Sequence, residues 1–538
     1  MSDTNVAPGI GIVRGTGSNG GMPIVIGDTP LTRHQVVAVA RAGASVELSK
    51  AALDRVAEAR AVIDGLASDT RPHYGISTGF GALANTQIAP DDRAQLQRSL
   101  IRSHAASSGD AVETEVVRGL MLLRLQTLMT GRTGVKPETV RLYAGMLNAG
   151  ITPVVGEYGS LGCSGDLAPL SHVALAAMGE GMVHVAASGS RGAAIPAAEA
   201  LSAAGLEPVQ LAEKEGLALI NGTDGMLAML CLALDDLDRL LLTADLAAAM
   251  SVEGLLGTDS PFAADLMALR PHPGQAASAA NIAALLADSP VVASHKGPED
   301  TRVQDAYSLR CAPQVHGTAR DTHAHAARVA EIELASAIDN PVVMADGRVV
   351  SNGNFHGAPV AAVLDFLAIV TADVASMSER RTDRFLDPAR NYGLHAFLAD
   401  DPGVDSGLMI AQYTQAGIVS ELKRLAAPAS VDSIPSSAMQ EDHVSMGWGA
   451  ARKLRRSVDG LQRVLAVELM TAARGTEMRG DPAGPRTGAV IAALRETVEG
   501  VGPDRIVADE IAHAVELVAS GRAIAEAGLT DSSEGAAS

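Results

Sequence analysis

The segment Gly159-Ser160-Leu161-Gly162-Cys163-Ser164-Gly165-Asp166-Leu167-Ala168-Pro169 holds groups that can react with one another. A tight bend brings the Gly165 amide nitrogen onto the Cys163 carbonyl carbon, and glycine favours the approach because no Cβ stands in the way. Loss of two waters, one of them taking the Ser164 hydroxyl, leaves a five-membered imidazolone with an exocyclic methylene. No unmodified side chain offers an electrophile of that kind. The same residues also suit a plainer role, a glycine-rich turn before a helix with Asp166 at the cap and Pro169 in the first turn. Cys163 as a nucleophile has no base beside it in the motif.

Other residues could take part in chemistry or simply pack. Tyr74 lies in His73-Tyr74-Gly75-Ile76-Ser77-Thr78-Gly79-Phe80-Gly81, too rich in glycine for a regular element, and by pattern alone is a packed turn aromatic. His104 follows a helical run, where a lone histidine commonly caps or faces solvent, and Asn221-Gly222 reads equally as a turn ahead of a helix. In Gln304-Asp305-Ala306-Tyr307-Ser308-Leu309-Arg310, the planar guanidinium of Arg310 can grip a carboxylate with paired hydrogen bonds or form a structural ion pair. Phe355, in the polar turn 352–357, could be ordinary core. On a helix expected from residue 406, Glu421 falls on the stripe of Ile410, Tyr413, Gly417 and Leu425, so its carboxylate is expected on the apolar face. Such a charge needs a partner, and Arg424 offers one at i,i+3. His316, His323 and His325 do not form a metal motif, since the last two face different sides of a helix and no HExxH occurs; no metal is expected.

These residues must be positioned by helices. The chain of 538 residues is 47% hydrophobic but only 2% aromatic, so its core is filled by Ala, Leu, Val, Ile and Met, which favour long packed helices. An extended start at 23–26 leads into expected helices at 33–42, 49–64, 91–107, 113–129 and 137–148, followed by an irregular segment at 151–171 with four glycines and two prolines. Long helices are expected at 225–256, 317–338, 359–380, 406–426 and 443–474, and shorter ones at 489–527. The expected organisation is a disordered lead-in at 1–22, an N-terminal region at 23–215, a central long-helix bundle at 216–475, C-terminal helices at 476–528 and a disordered tail at 529–538.

A net charge of −20 provides no basic stripe for nucleic acid and suits a small-molecule enzyme. Three widely spaced cysteines without CxxC point to a reducing, cytoplasmic compartment, and residues 1–22 lack the features of a signal peptide. No membrane span is expected, because the apolar runs 225–234 and 358–376 are interrupted by Asp235-Asp236 and by Asp365 and Asp373.

The Cys163-Ser164-Gly165 segment resembles the signature of the aromatic amino acid ammonia-lyases, the family acting on histidine, phenylalanine and tyrosine. The resemblance runs from about residue 24 to about residue 525 in several separated motifs. It implies a mainly α fold, a long-helix bundle of the ammonia-lyase/fumarase-like type, with a mixed N-terminal region carrying the reactive loop. It also implies that 163–165 close into 4-methylidene-imidazol-5-one (MIO), with no external cofactor. The family usually has Ala first in the triad; Cys163 is similar to the variant of actinobacterial histidine-specific members, and ring closure uses only its carbonyl.

By the same resemblance Tyr74 takes the substrate β-proton, and Ser103-His104 marks histidine as substrate. Asn221 hydrogen-bonds near MIO and substrate, Gln304 binds substrate, Tyr307 supports catalysis and Arg310 holds the substrate carboxylate. Phe355 packs beside MIO, Glu421 contacts the imidazole, and His356 has no assigned part. The implied reaction is deamination of L-histidine to trans-urocanate and ammonia by a homotetramer, each site drawing on three subunits. Phenylalanine or tyrosine ammonia-lyase, or an MIO aminomutase, is the nearest alternative, against which Ser103-His104 and Glu421 argue. A non-catalytic helical assembly protein would be expected to lose Ser164 or Tyr74.

Overall fold

The structure is a computed structural model that describes residues 22–69, 73, 75–79, 86–162, 165–187, 190–297, 300 and 303–529. Tyr74, Cys163, Ser164, residues 1–21 of the lead-in expected at 1–22 and residues 530–538 of the tail expected at 529–538 lie outside the described residues. The chain is mainly α: twenty α-helices and ten short strands occur among the described residues. The expected helix at 137–148 is found at Pro137–Asn148, with Pro137 in the first turn and Gly150 just beyond at φ 68°. The long helices are Asp224–Gly254, Ala312–Leu334, Ala358–Leu386, Met409–Leu425 and Gly447–Glu477.

Two compact units are each built from separated stretches of chain. The first contains residues 1–232, 330–361 and 430–449. At its centre runs the Thr114–Met129 helix, on which every residue from Val116 to Met129 is buried. A helix apolar on all sides must be covered on all sides, and helices Arg33–Ala40, Lys50–Ala67, Pro137–Asn148 and Leu167–Ala177 pack against it. Its buried Arg118 donates to the Val39 carbonyl (2.9 and 3.1 Å) and the Leu147 carbonyl (3.1 Å), placing a cation at the negative ends of two helices.

The segment expected to be irregular at 151–171 opens instead with two strands. Ile151–Pro153 pairs antiparallel with Met182–Ala187, which also pairs with Ser190–Arg191 and Ile195–Pro196. Gly156–Tyr158 pairs with Ser108–Ala111. Strands of two to six residues carry too few side chains for their alternation to register in the sequence.

The second unit contains residues 233–329, 362–429 and 450–538. Its helices enclose charges satisfied in pairs. Arg381 and Glu468, both fully buried, make a two-pronged ion pair (2.5 and 2.8 Å), and Ser251 Oγ donates to the same carboxylate at 2.7 Å. Asp245 receives His316 Nδ1 (2.8 Å), Arg320 (2.5 Å) and Asn281 (2.9 Å).

The helix expected at 359–380 is found at Ala358–Leu386, with Asp365 and Asp373 inside it. It continues through both, and by length and composition could cross a membrane, yet 61% of its apolar window is buried. Asp365 is buried against Lys453 Nζ at 2.8 Å, while Asp373 faces outward. That is the pattern of a core helix with one paired charge.

Candidate active site

Residues on both sides of Cys163-Ser164 are pinned within the first unit. Before it, Met446 N donates to the Leu161 carbonyl (2.8 Å), and the Gly162 carbonyl accepts from Ser445 Oγ (2.7 Å) and Gly357 N (3.2 Å). After it, Gly165 pairs with Gly222, and Asp166 N donates to the Gly222 carbonyl at 2.7 Å. Gly165 sits at φ 86°, and a Cβ there would overlap the Gly222 carbonyl. A glycine here favours the expected cyclisation, and the packing on Gly222 requires one independently.

In the plainer reading of this segment Asp166 caps the helix that follows it, but its side chain makes no such bond. Its fully buried carboxylate reaches instead to the start of the Asp224–Gly254 helix, accepting from Gly225 N (2.8 Å) and Met226 N (2.9 Å), and also from Ser160 Oγ (2.8 Å). Burial pushes its pKa up to about 7, against the pull of those three donors and with added repulsion from Asp224.

Beside the Gly165–Gly222 contact, the buried Asn221 donates through Nδ2 to the Asn340 carbonyl (2.8 Å), while its Oδ1 has no hydrogen-bond partner among the described residues. Arg124, fully buried, fixes this turn by donating to the carbonyls of Ala218 (3.1 Å), Asn221 (2.9 Å) and Ile338 (3.1 Å) and pairing with Asp224 at 3.1 Å. Below lies a second buried pair, Lys214 with Asp339 at 2.5 Å. Burial lowers the Lys214 pKa and raises that of Asp339, each opposed by its partner. Sequence reasoning missed these charges, though Arg124 inside an otherwise apolar helix was a signal that a partner must exist.

His104 ends the Arg93–His104 helix and lines a cleft of about 260 Å³ with Gly159, Ser160, Leu161, Gly165, Ser437 and Glu441. Its Nδ1 lies 2.9 Å from the Leu100 carbonyl, which can only accept, so Nδ1 carries the proton in the neutral ring. Burial lowers its pKa, opposed by the Leu100 bond and by the Glu441 charge, which favours neutral imidazole with a lone pair at Nε2. A larger cleft of about 390 Å³ in the second unit, lined by Phe262, Met267, Pro271, His272 and several alanines, offers little to a polar reaction.

Glu441, which lines this cleft with His104, was not anticipated in the sequence. The buried stripe of the Met409–Leu425 helix is Ala411, Gln415, Val419 and Leu422; Ile410, Tyr413 and Glu421 face outward. The Glu421 side chain is 48% exposed and paired with Arg424. The expected apolar stripe is real in sequence but is the uncovered one, so a carboxylate buried there is corrected to an exposed ion pair.

Phe355 is half-buried in the first unit, one residue before His356. Gln304, Tyr307 and Arg310 belong to the second unit. Tyr307 is 72% exposed, Gln304 is also exposed, and the Arg310 guanidinium lies 4.7 Å from the Tyr307 ring centroid. Arg310 Nε donates to the Asp305 carbonyl at 3.0 Å, and the Ser308 carbonyl accepts from Arg381 at 3.2 Å, which holds this single helical turn in place.

Comparison with known proteins agrees in family. The sequence profile described as aromatic amino acid lyase matches residues 31–496. Histidine ammonia-lyase of Streptomyces coelicolor is 62% identical over 506 residues, covering 94% of this chain and 98% of that protein. Among solved structures, histidine ammonia-lyase from Trypanosoma cruzi is 38% identical with a TM-score of 0.86, covering 94% of this chain and 95% of the other. Tyrosine aminomutase from Streptomyces globisporus is 36% identical with a TM-score of 0.87, covering 94% and 98%.

Proposed function

This chain belongs to the aromatic amino acid lyase family, and we propose that it removes ammonia from L-histidine without oxidation, giving trans-urocanate. The observation that carries the substrate is the cleft beside Gly165, where His104 and Glu441 offer one imidazole and one carboxylate. A substrate ring with both an N–H and a lone pair can satisfy such groups, whereas a phenyl ring leaves them unpaired and desolvated.

The residues around 163–165 fit a ring closed from the backbone. Gly165 has the left-handed φ and absent Cβ that close packing on Gly222 demands, and the unpartnered Oδ1 of Asn221 lies one residue from that contact. We propose MIO at Cys163-Ser164-Gly165, held by Asp166, Gly222 and Asn221. When formed, MIO supplies an electrophile for the substrate amine and makes it a better leaving group.

The other groups handle the remaining difficulties. The β-hydrogen of histidine is barely acidic, so a base must lie against it, and Tyr74 is proposed to take that proton. Arg310 holds the carboxylate, with Tyr307 and Gln304 beside it, and Phe355 packs against the reacting group. His104 and Glu441 orient the imidazole from the cleft beside Gly165, and Glu421, on the outward stripe with Ile410 and Tyr413, is proposed to contact it in the assembled tetramer. We further propose a cytoplasmic homotetramer with each site drawn from three subunits; the exposed Ile410 and Tyr413, 60% each, are apolar surface for such an assembly to cover.

The test is a near-UV product assay with L-histidine, L-phenylalanine and L-tyrosine as separate substrates. Urocanate is expected to form fastest. Cinnamate or coumarate formed faster overturns the substrate, and a β-amino acid product would indicate aminomutase chemistry.

A further inference from the structure

The proposed reaction gives His356 no part, yet its ring is fully engaged. Nδ1 accepts from Ala358 N at 3.3 Å, the first N–H of the Ala358–Leu386 helix, a position with no carbonyl partner inside the helix. Nε2 lies 3.2 Å from the His443 carbonyl, which can only accept. One neutral tautomer, protonated at Nε2, satisfies both contacts. The rings of His356 and His443 are also parallel within 3°, with centroids 5.8 Å apart.

The two histidines join two segments that meet the reactive loop. Gly357, next to His356, and Ser445, two residues after His443, both donate to the Gly162 carbonyl. Glu441 lies two residues before His443. The loop leading to it has three consecutive residues with positive φ, Ser437 at 49°, Ala438 at 53° and Met439 at 70°. L side chains rarely adopt that conformation unless surrounding contacts hold it. Within the loop, Ser436 and Glu441 exchange backbone bonds of 3.0 and 3.3 Å, and Ser436 Oγ donates to the Glu441 carboxylate at 2.8 Å. His356 supplies an anchor from outside the loop.

We propose that His356 is a positioning residue for Glu441: through its bond to the His443 carbonyl and its stack on the His443 ring, it holds the 436–443 loop so that the carboxylate faces the substrate ring beside His104. The inference rests on the reading of Glu441 as the ring's partner. Asparagine at 356 separates the two bonds, because it is a good cap for the Ala358 N–H but too short to reach the His443 carbonyl.

His356→Asn and Glu441→Gln are made singly and together, and KM and kcat for L-histidine are measured with the melting temperature. His356→Asn is expected to melt near wild type and raise KM about three- to ten-fold, the size of one hydrogen bond, with kcat within about two-fold. In the Glu441→Gln background the same substitution is expected to change KM by less than about 1.5-fold, since coupled residues are not additive. His356→Gln, long enough for both contacts, is expected to restore KM. Should His356→Asn not fold, His443→Ala removes the exposed stacking ring and is expected to raise KM about two-fold, again only with Glu441 present. An equal rise in KM in both backgrounds, or none, overturns the positioning role while leaving the substrate assignment intact. A wild-type protein that does not consume L-histidine removes both.

Discussion

Replacing Asp166 with asparagine should change how stability depends on pH more than it changes stability at any one pH. Burial raises the folded pKa of Asp166 from 3.8 to about 7. Between those values the folded state holds a proton that the unfolded state has lost, so ν_N exceeds ν_U and stability falls as pH rises. The shift of about 3 units at about 1.36 kcal/mol each is on the order of 4 kcal/mol over the whole window, more than half of it between pH 5 and pH 8. The substituted amide cannot ionise, yet it keeps an oxygen for Gly225 N and Met226 N and an NH2 group to face Ser160. Urea midpoints of both proteins, at equal protein concentration from pH 4.5 to 8, should therefore diverge. The variant should gain on wild type steadily as pH rises, by a few kcal/mol across the range. Parallel profiles would refute a buried carboxyl titrating near neutrality.

Further expectations concern the site itself. Gly222→Ala puts a Cβ onto Arg124 and Asp224, and should destabilise by more than about 2 kcal/mol in thermal melts, with activity lost. Arg310→Lys keeps the charge but loses the planar fork, and should lower kcat/KM for L-histidine about 10- to 100-fold, the worth of a charge-assisted pair. The two glutamates proposed to meet the imidazole are tested in steady-state kinetics: Glu441→Gln and Glu421→Gln should each raise KM for L-histidine about ten-fold, the worth of a hydrogen bond to a charged group.

Much of the helical frame was legible because apolar periodicity, Pro137 and the flanking glycines are local signals. That each unit is built from separated stretches of chain was not, since it arises from contacts within the unit between residues far apart in sequence, whereas pattern reading proceeds along the chain and groups contiguous stretches. Strands such as Val342–Val343 are too short to show a period, even though the partner, Val349–Val350, is close in the chain. Of the site, the glycine and Asp166 of the reactive loop were visible as types, but that Asp166 serves the helix starting at Asp224 could not be seen in sequence. The burial expected of Glu421 was not found, because amphipathic phase reveals which face is apolar, and not whether the chain itself covers that face. Glu441 went unremarked in Ser436-Ser437-Ala438-Met439-Gln440-Glu441, a run without periodicity. The sign available there was a carboxylate in an irregular stretch between helices, where binding groups concentrate.

The most direct measurement is the intact mass of the purified wild-type protein and of Ser164→Ala. Cyclisation at 163–165 predicts a wild-type mass two waters below the encoded polypeptide, and a variant at its full encoded mass that forms no urocanate. A wild-type protein at its full encoded mass that still deaminates L-histidine would contradict the account.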